Sequence, residues 1–236
     1  METFPPISRP TRASAAFDAD LRAYMLGIYR NMGLGLALTG LVALAVAATP
    51  PLSALIFGTP LKWVAIFAPL AFVMFFSFRI DRMTTAGART AFFAFAAVMG
   101  VSMASIFLVF TGTSIASAFF TAAAMFAGLS LWGYTTRRDL TGLGSFLMVG
   151  LIAVIGVSLV NLFLGSSMLQ ILVSVVGVVV FAGLTAWDTQ RLKSEFVEYR
   201  GHASLDKMAI MGALSLYLNL INMFQLLLGL VGQREE

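Results

Sequence analysis

The chain has 236 residues, of which 59% are hydrophobic and 11% charged. A soluble domain is about 45–50% apolar and about 25% charged, and a fold of this length has too little interior to hide the surplus, so the composition excludes a soluble protein and sets apolar side chains against lipid. The net charge of +4 comes from Lys and Arg in short groups between apolar runs, a pattern of membrane orientation signals that does not suit nucleic acid, and the lack of cysteine excludes disulfide, thiolate and Cys-zinc chemistry.

Met1 to Asp20 is polar and holds Pro5, Pro6 and Pro10. It lacks the basic, apolar and small-residue regions of a signal peptide. Residues 1–22 therefore read as a flexible cytoplasmic tail, 23–233 as one membrane domain and 234–236 as a short C-terminal tail. Charged residues then cut the chain into apolar blocks, and each span needs about 20 residues. Asn31 to Leu61 carries no charge and holds one helix, then Pro50-Pro51 and a short loop to Pro60. Lys62 opens the second helix, which runs to Phe78; Arg79, Asp81, Arg82 and Arg89 form a polar break. Thr90 to Thr136 is long enough for two spans, with a turn at Thr111-Gly112-Thr113. Leu140 to Trp187 holds two more, divided at Asn161 and Gly165-Ser166-Ser167, and Met208 to Gln233 holds the last. The reading is an all-α polytopic membrane protein of seven transmembrane helices.

The turns at Gly112 and Gly165 carry no basic residue, whereas Arg9, Arg12 and Arg22, the Arg79–Arg89 break, Arg137-Arg138, and Arg191, Lys193, Arg200 and Lys207 fall in every second connection, all on one side. The positive-inside rule then puts the N-terminus in the cytoplasm and the C-terminus outside. Ala96, Gly100 and Ala104 recur every four residues and read as a small-residue face for close helix packing.

An ionisable group inside a membrane is costly, which singles out Asp188 at the end of a long apolar run. One reading is a helix-end carboxylate at headgroup level, paired with Arg191; the other is a functional intramembrane acid. Arg79, after Phe78, is either an orientation charge that snorkels to the interface or a counter-ion for Asp188. The last helix carries Ser215, Tyr217, Asn219, Asn222 and Gln225. Asn219, Asn222 and Gln225 are spaced by three and share a helix face. Amides cannot face lipid unsatisfied, so that face points into the bundle or toward water, as interhelical glue or as a polar permeation path. His202, the one histidine, reads as a solvated loop residue; no metal cluster and no cofactor are expected. The hydrolase, zincin and phosphate-loop signatures are missing, so an enzyme is not expected.

Several segments, in order, resemble the Bax inhibitor-1 (TMBIM) family in its bacterial branch. They are Tyr29-Arg30-Asn31-Met32-Gly33-Leu34 with Thr39-Gly40; Gly133 to Thr141, then Gly144-Ser145-Phe146-Leu147; Ser158 to Phe163; Asp188-Thr189-Gln190; and Ala213 to Asn222. The resemblance implies seven helices with the last enclosed by the other six, and a calcium leak gated by pH. It also implies a proton-sensing pair of aspartates, one in the motif of Asp188 and one in that of the seventh helix, with an arginine latch matched by Arg79. Here Asn219 stands where the second aspartate would be. An amide cannot ionise, so like-charge repulsion is absent and any gate responds less to pH near neutrality. The expected function is a calcium leak or related cation pathway centred on Asp188, Asn219 and Arg79, with Tyr217, Asn222 and Gln225 in support. Its partners would be the lipid bilayer and Ca²⁺ as permeant ion. The alternative is a non-conducting regulator of other membrane proteins, such as proteases or stress-response factors. A bacterial inner membrane is the expected location.

Overall fold

A computed structural model describes residues 12–233. Nine α-helices are formed among them: α1 (Arg12–Ala47), α2 (Pro50–Phe57), α3 (Leu61–Arg79), α4 (Thr85–Met103), α5 (Ile106–Val109), α6 (Gly112–Thr135), α7 (Thr141–Leu164), α8 (Ser167–Tyr199) and α9 (Leu205–Val231). Seven segments are long and apolar enough to cross a membrane, with α4 and α5 together making one of them. The seven-helix, all-α reading therefore stands.

Three boundaries differ from the sequence reading. α1 starts at Arg12, inside the segment assigned to the tail. Its first turns are fixed on the end of α8, where Phe17 packs edge-on against Phe196 and Asp20 is paired with Arg200. Residues 1–11 and 234–236 of the assigned tails lie outside the described residues. The Pro50-Pro51 stretch forms a two-turn helix instead of a loop, because proline at the first helical positions lacks only an N–H that has no partner there. α8 continues past Asp188 to Tyr199, with nothing in its sequence to stop it before Gly201 at φ +85°.

The other turns follow local chemistry. Thr84, Thr111 and Ser166 cap α4, α6 and α8, each accepting a backbone N–H with its side-chain oxygen. Gly165 closes α7 in the left-handed conformation at φ +61°, and the Asn161 side chain accepts from Ser166 N at 3.0 Å. Asp139 accepts from the amide and the hydroxyl of Thr141 at the start of α7, which holds its carboxyl below the ordinary carboxylate range.

α9 is the axis of the bundle. It packs on α1, α4, α6 and α8, and Tyr217, Leu216 and Met223 on it are fully buried. The small-residue face of α4 meets α1: a Cβ on Gly100 would come within 2.7 Å of the Thr39 carbonyl oxygen, and Ala96 and Ala104 are fully buried. Many other large apolar side chains stay exposed, including Phe78, Phe163 and Met168, as lipid contact requires. The two ends of the bundle differ in charge. The start of α1, the turn after α3, the α6–α7 link and the α8–α9 link share one basic end. At the opposite end Lys62 is the sole charged side chain among the described residues.

Candidate functional site

Asp188 is buried at 5% exposure in a helix that runs on for three turns, so it lies inside the bundle instead of at a helix end. Both carboxylate oxygens are occupied. Oδ1 accepts from Arg191 Nη2 at 2.6 Å and from Arg191 Nε at 3.2 Å, while Oδ2 accepts from Asn219 Nδ2 at 2.8 Å. The uninterrupted helix is what makes the first contact possible, because residues three apart share a face. Arg191 is itself held on other sides. Its Nη1 donates to Glu195 at 3.1 Å, and its guanidinium lies 5.2 Å from the centre of the Trp187 ring. Trp187 in turn fills the space that a side chain at Gly144 would take.

These residues edge a cavity of about 670 Å³ between α3, α4, α7, α8 and α9. One wall is polar, built from Asp188, Arg191, Ser215, Asn219, Asn222 and Gln225. The facing wall is apolar, with Ile66 and Leu70 from α3 and Met148 and Ile155 from α7. From Ser215 to Gln225 the polar wall runs ~15 Å along the helix axis, half of a hydrocarbon core of ~30 Å. Among the described residues, Asp188 is the one acid that lines it, and Arg191 the one base.

The other side of α8 is fastened by uncharged groups. Thr189 donates to Thr185 O at 2.8 Å and bonds Ser130 at 3.0 Å, and Ser130 bonds Tyr29 at 2.5 Å. Gln190 accepts from Leu140 N and donates to Arg138 O, both at 2.8 Å, tying the α6–α7 link to α8. At Gly133, α6 touches the backbone of α8 at Ala186 with no room for a side chain. These neighbours orient Asp188 without touching it. Sequence reading assigned none of them a role, since each is an ordinary helix residue until the partner helix is known.

The expected residues divide accordingly. Asp188, Asn219, Asn222 and Gln225 meet at the cavity. Tyr217 does not: it is fully buried on another face, bonded to Thr39 at 2.7 Å and packed edge-on against Phe92 and Phe95. Arg79 is exposed at the end of α3, its guanidinium 5.9 Å from the centre of the Phe75 ring, and is not in the lining of the cavity. The counter-charge to Asp188 is Arg191, one turn away on the same helix. His202 is exposed in the α8–α9 link, edge-on to Tyr199.

The family model described as "Inhibitor of apoptosis-promoting Bax1" matches residues 21–236. The chain belongs to the Bax inhibitor-1 family. Within it, the chain is 44% identical over 237 residues to an uncharacterized protein of Caulobacter vibrioides, covering 95% of this chain and 94% of that one. It is 42% identical over 219 residues to the inner membrane protein YbhL of Escherichia coli K12, covering 92% and 94% respectively. It is also 42% identical over 226 residues to the protein RP147 of Rickettsia prowazekii, covering 96% of both. Three of the segments that carry the Bax inhibitor-1 resemblance meet around α8: Gly133 and Gly144 admit α8 and Trp187, and Asp188-Thr189-Gln190 reaches the cavity, α6 and the α6–α7 link in turn.

Proposed function

We propose that this Bax inhibitor-1 protein is a calcium-permeable leak pathway of a bacterial inner membrane, held here in a closed arrangement. The supporting observation is a half-membrane cavity with a wall of amides and hydroxyls and a single carboxylate, Asp188, at its basic end. Such a wall replaces water around a passing cation, and a buried acid draws cations into a low-dielectric space. Closure is carried by Arg191, which pairs with that acid and withholds it from a cation. One carboxylate and a few amide oxygens fall short of the six to eight oxygen ligands of a Ca²⁺ storage site, which suits passage better than retention.

Where the resemblance implies a second aspartate, Asp188 meets the amide of Asn219, so no pair of carboxylates shares a proton at that position. The basic end faces the cytoplasm, placing the N-terminus there. His202→Cys in this cysteine-free chain should label from the cytoplasmic face; labelling from outside reverses the orientation.

The test of function is calcium efflux from vesicles that contain this protein alone. The native chain should discharge a calcium gradient and Asp188→Asn should slow it severalfold. Equal efflux in both removes Asp188 from the mechanism. No efflux from either supports the second reading, a non-conducting regulator of other membrane proteins, which the pairing of Asp188 with Arg191 favours.

A further inference from the structure

A second cavity of about 640 Å³ opens at the opposite end of the bundle, between α7, α8 and α9. Its lining sets the polar groups of Ser158, Asn161, Ser166 and Gln170 beside Gly229 and the apolar Phe110 and Leu162. Asn161 holds the rim, accepting from Ser166 N at 3.0 Å and donating to Gln170 Oε1 at 3.4 Å. The same three helices that form this cup also line the Asp188 cavity. On α9, Gln225 borders the first space and Gly229 the second, ~6 Å apart along the axis. On α7 the corresponding residues are Ile155 and Ser158. One helical turn thus separates two cavities stacked on one axis.

At that level, and in the lining of neither cavity, Leu226 packs onto α8. Its Cδ1 lies 2.6 Å from where a Cβ on Gly177 would be, and Val154 Cγ1 lies 3.5 Å from the same point. The absent side chain on α8 is therefore the seat for a leucine on α9. One turn closer to the cup, Ser174 is fully buried and its Oγ has no hydrogen-bond partner among the described residues. That oxygen is 3.7 Å from where a Cβ on Gly229 would lie, and Gln170 Nε2 is 3.9 Å from the same position. A hydroxyl without a partner, set against the floor of a polar cup, is out of place in a sealed core, where buried polar groups are normally paired. It gains a partner once water passes the floor.

We propose that the polar cup is the opposite-face mouth of the same pathway, and that Leu226, seated on Gly177 beside Val154, is the septum between the mouth and the Asp188 cavity. This rests on the pathway reading above and adds a second closure, apolar, to the ionic one at Arg191. Ser174 is the first hydroxyl wetted when the septum parts.

The absence of native cysteine allows a direct test on the full chain in sealed membranes. Single cysteines at Gln170, Ser174 and Asn222 are treated with a membrane-impermeant methanethiosulfonate from the face opposite the basic end. Gln170→Cys should react readily, Ser174→Cys slowly, and Asn222→Cys not at all. Adding Leu226→Ala, which leaves a cavity at the septum, should raise the Ser174→Cys rate about tenfold and bring Asn222→Cys into reach. Leu226→Val should act in the same direction by less, and serves where the alanine variant does not fold. Rates at Ser174→Cys that ignore both Leu226 variants, or an Asn222→Cys that reacts equally with native Leu226, overturn the septum. Labelling needs no conduction, so a septum-dependent rate without calcium efflux overturns the leak reading alone.

Discussion

At the scale of single residues, Asp188 meets two donors of unlike kind, an arginine and an amide. Replacing the amide by a carboxylate puts two acids at hydrogen-bond distance, and two like charges so close compete for a proton. Asn219→Asp should therefore make calcium efflux depend more steeply on pH than it does in the native chain. Identical pH profiles would contradict this account of Asn219. The sequence allowed the Asp188–Arg191 pair to be read from spacing, as one of two alternatives, since both lie on one helix. The role of Arg79 was not legible in the same way, because it depended on where the end of α3 falls relative to α8. Tyr217 was grouped with the polar face by type, although residues two apart on a helix do not face one another; its hydroxyl goes instead to Thr39 on α1.

At the scale of elements, the spans were legible because charge is excluded from a bilayer core, so charged residues mark the breaks at one end, while proline, glycine and serine mark those at the other. The ends of helices were less so. The early start of α1 depends on contacts with the far end of α8, and the extension of α8 on the absence of a stop signal. The site depends on how closely α6 and α8 approach. A side chain at Gly133 would meet the backbone of Ala186, which cannot move aside, whereas one at Gly128 on the same helix would meet nothing within 4 Å. Gly133→Ala should destabilise the protein by about 1–3 kcal/mol, the range for overpacking. Gly128→Ala should be neutral or gain up to about 1 kcal/mol, since alanine favours a helix over glycine. Thermal unfolding in detergent compares them; a Gly133→Ala variant as stable as native would deny the tight α6–α8 contact.

At the scale of the whole molecule, the bundle joins an apolar exterior to an off-centre polar seam along α9. The seam has a cavity midway along α9, a cup at one end and an ion pair toward the other. The seam was legible in part, as the three-residue spacing of Asn219, Asn222 and Gln225; the facing apolar wall of α3 and α7 was not, since nothing in an apolar run tells which face meets lipid and which a cavity. The central claim is that Asp188 attracts the ion and Arg191 withholds it. Calcium efflux from protein-only vesicles tests it most directly when native, Arg191→Gln, Asp188→Asn and the double variant are compared. The account predicts efflux several times faster than native for Arg191→Gln, and slow, equal efflux for Asp188→Asn and the double variant. A double variant as fast as Arg191→Gln would contradict it, since the arginine would then close the path without acting through Asp188.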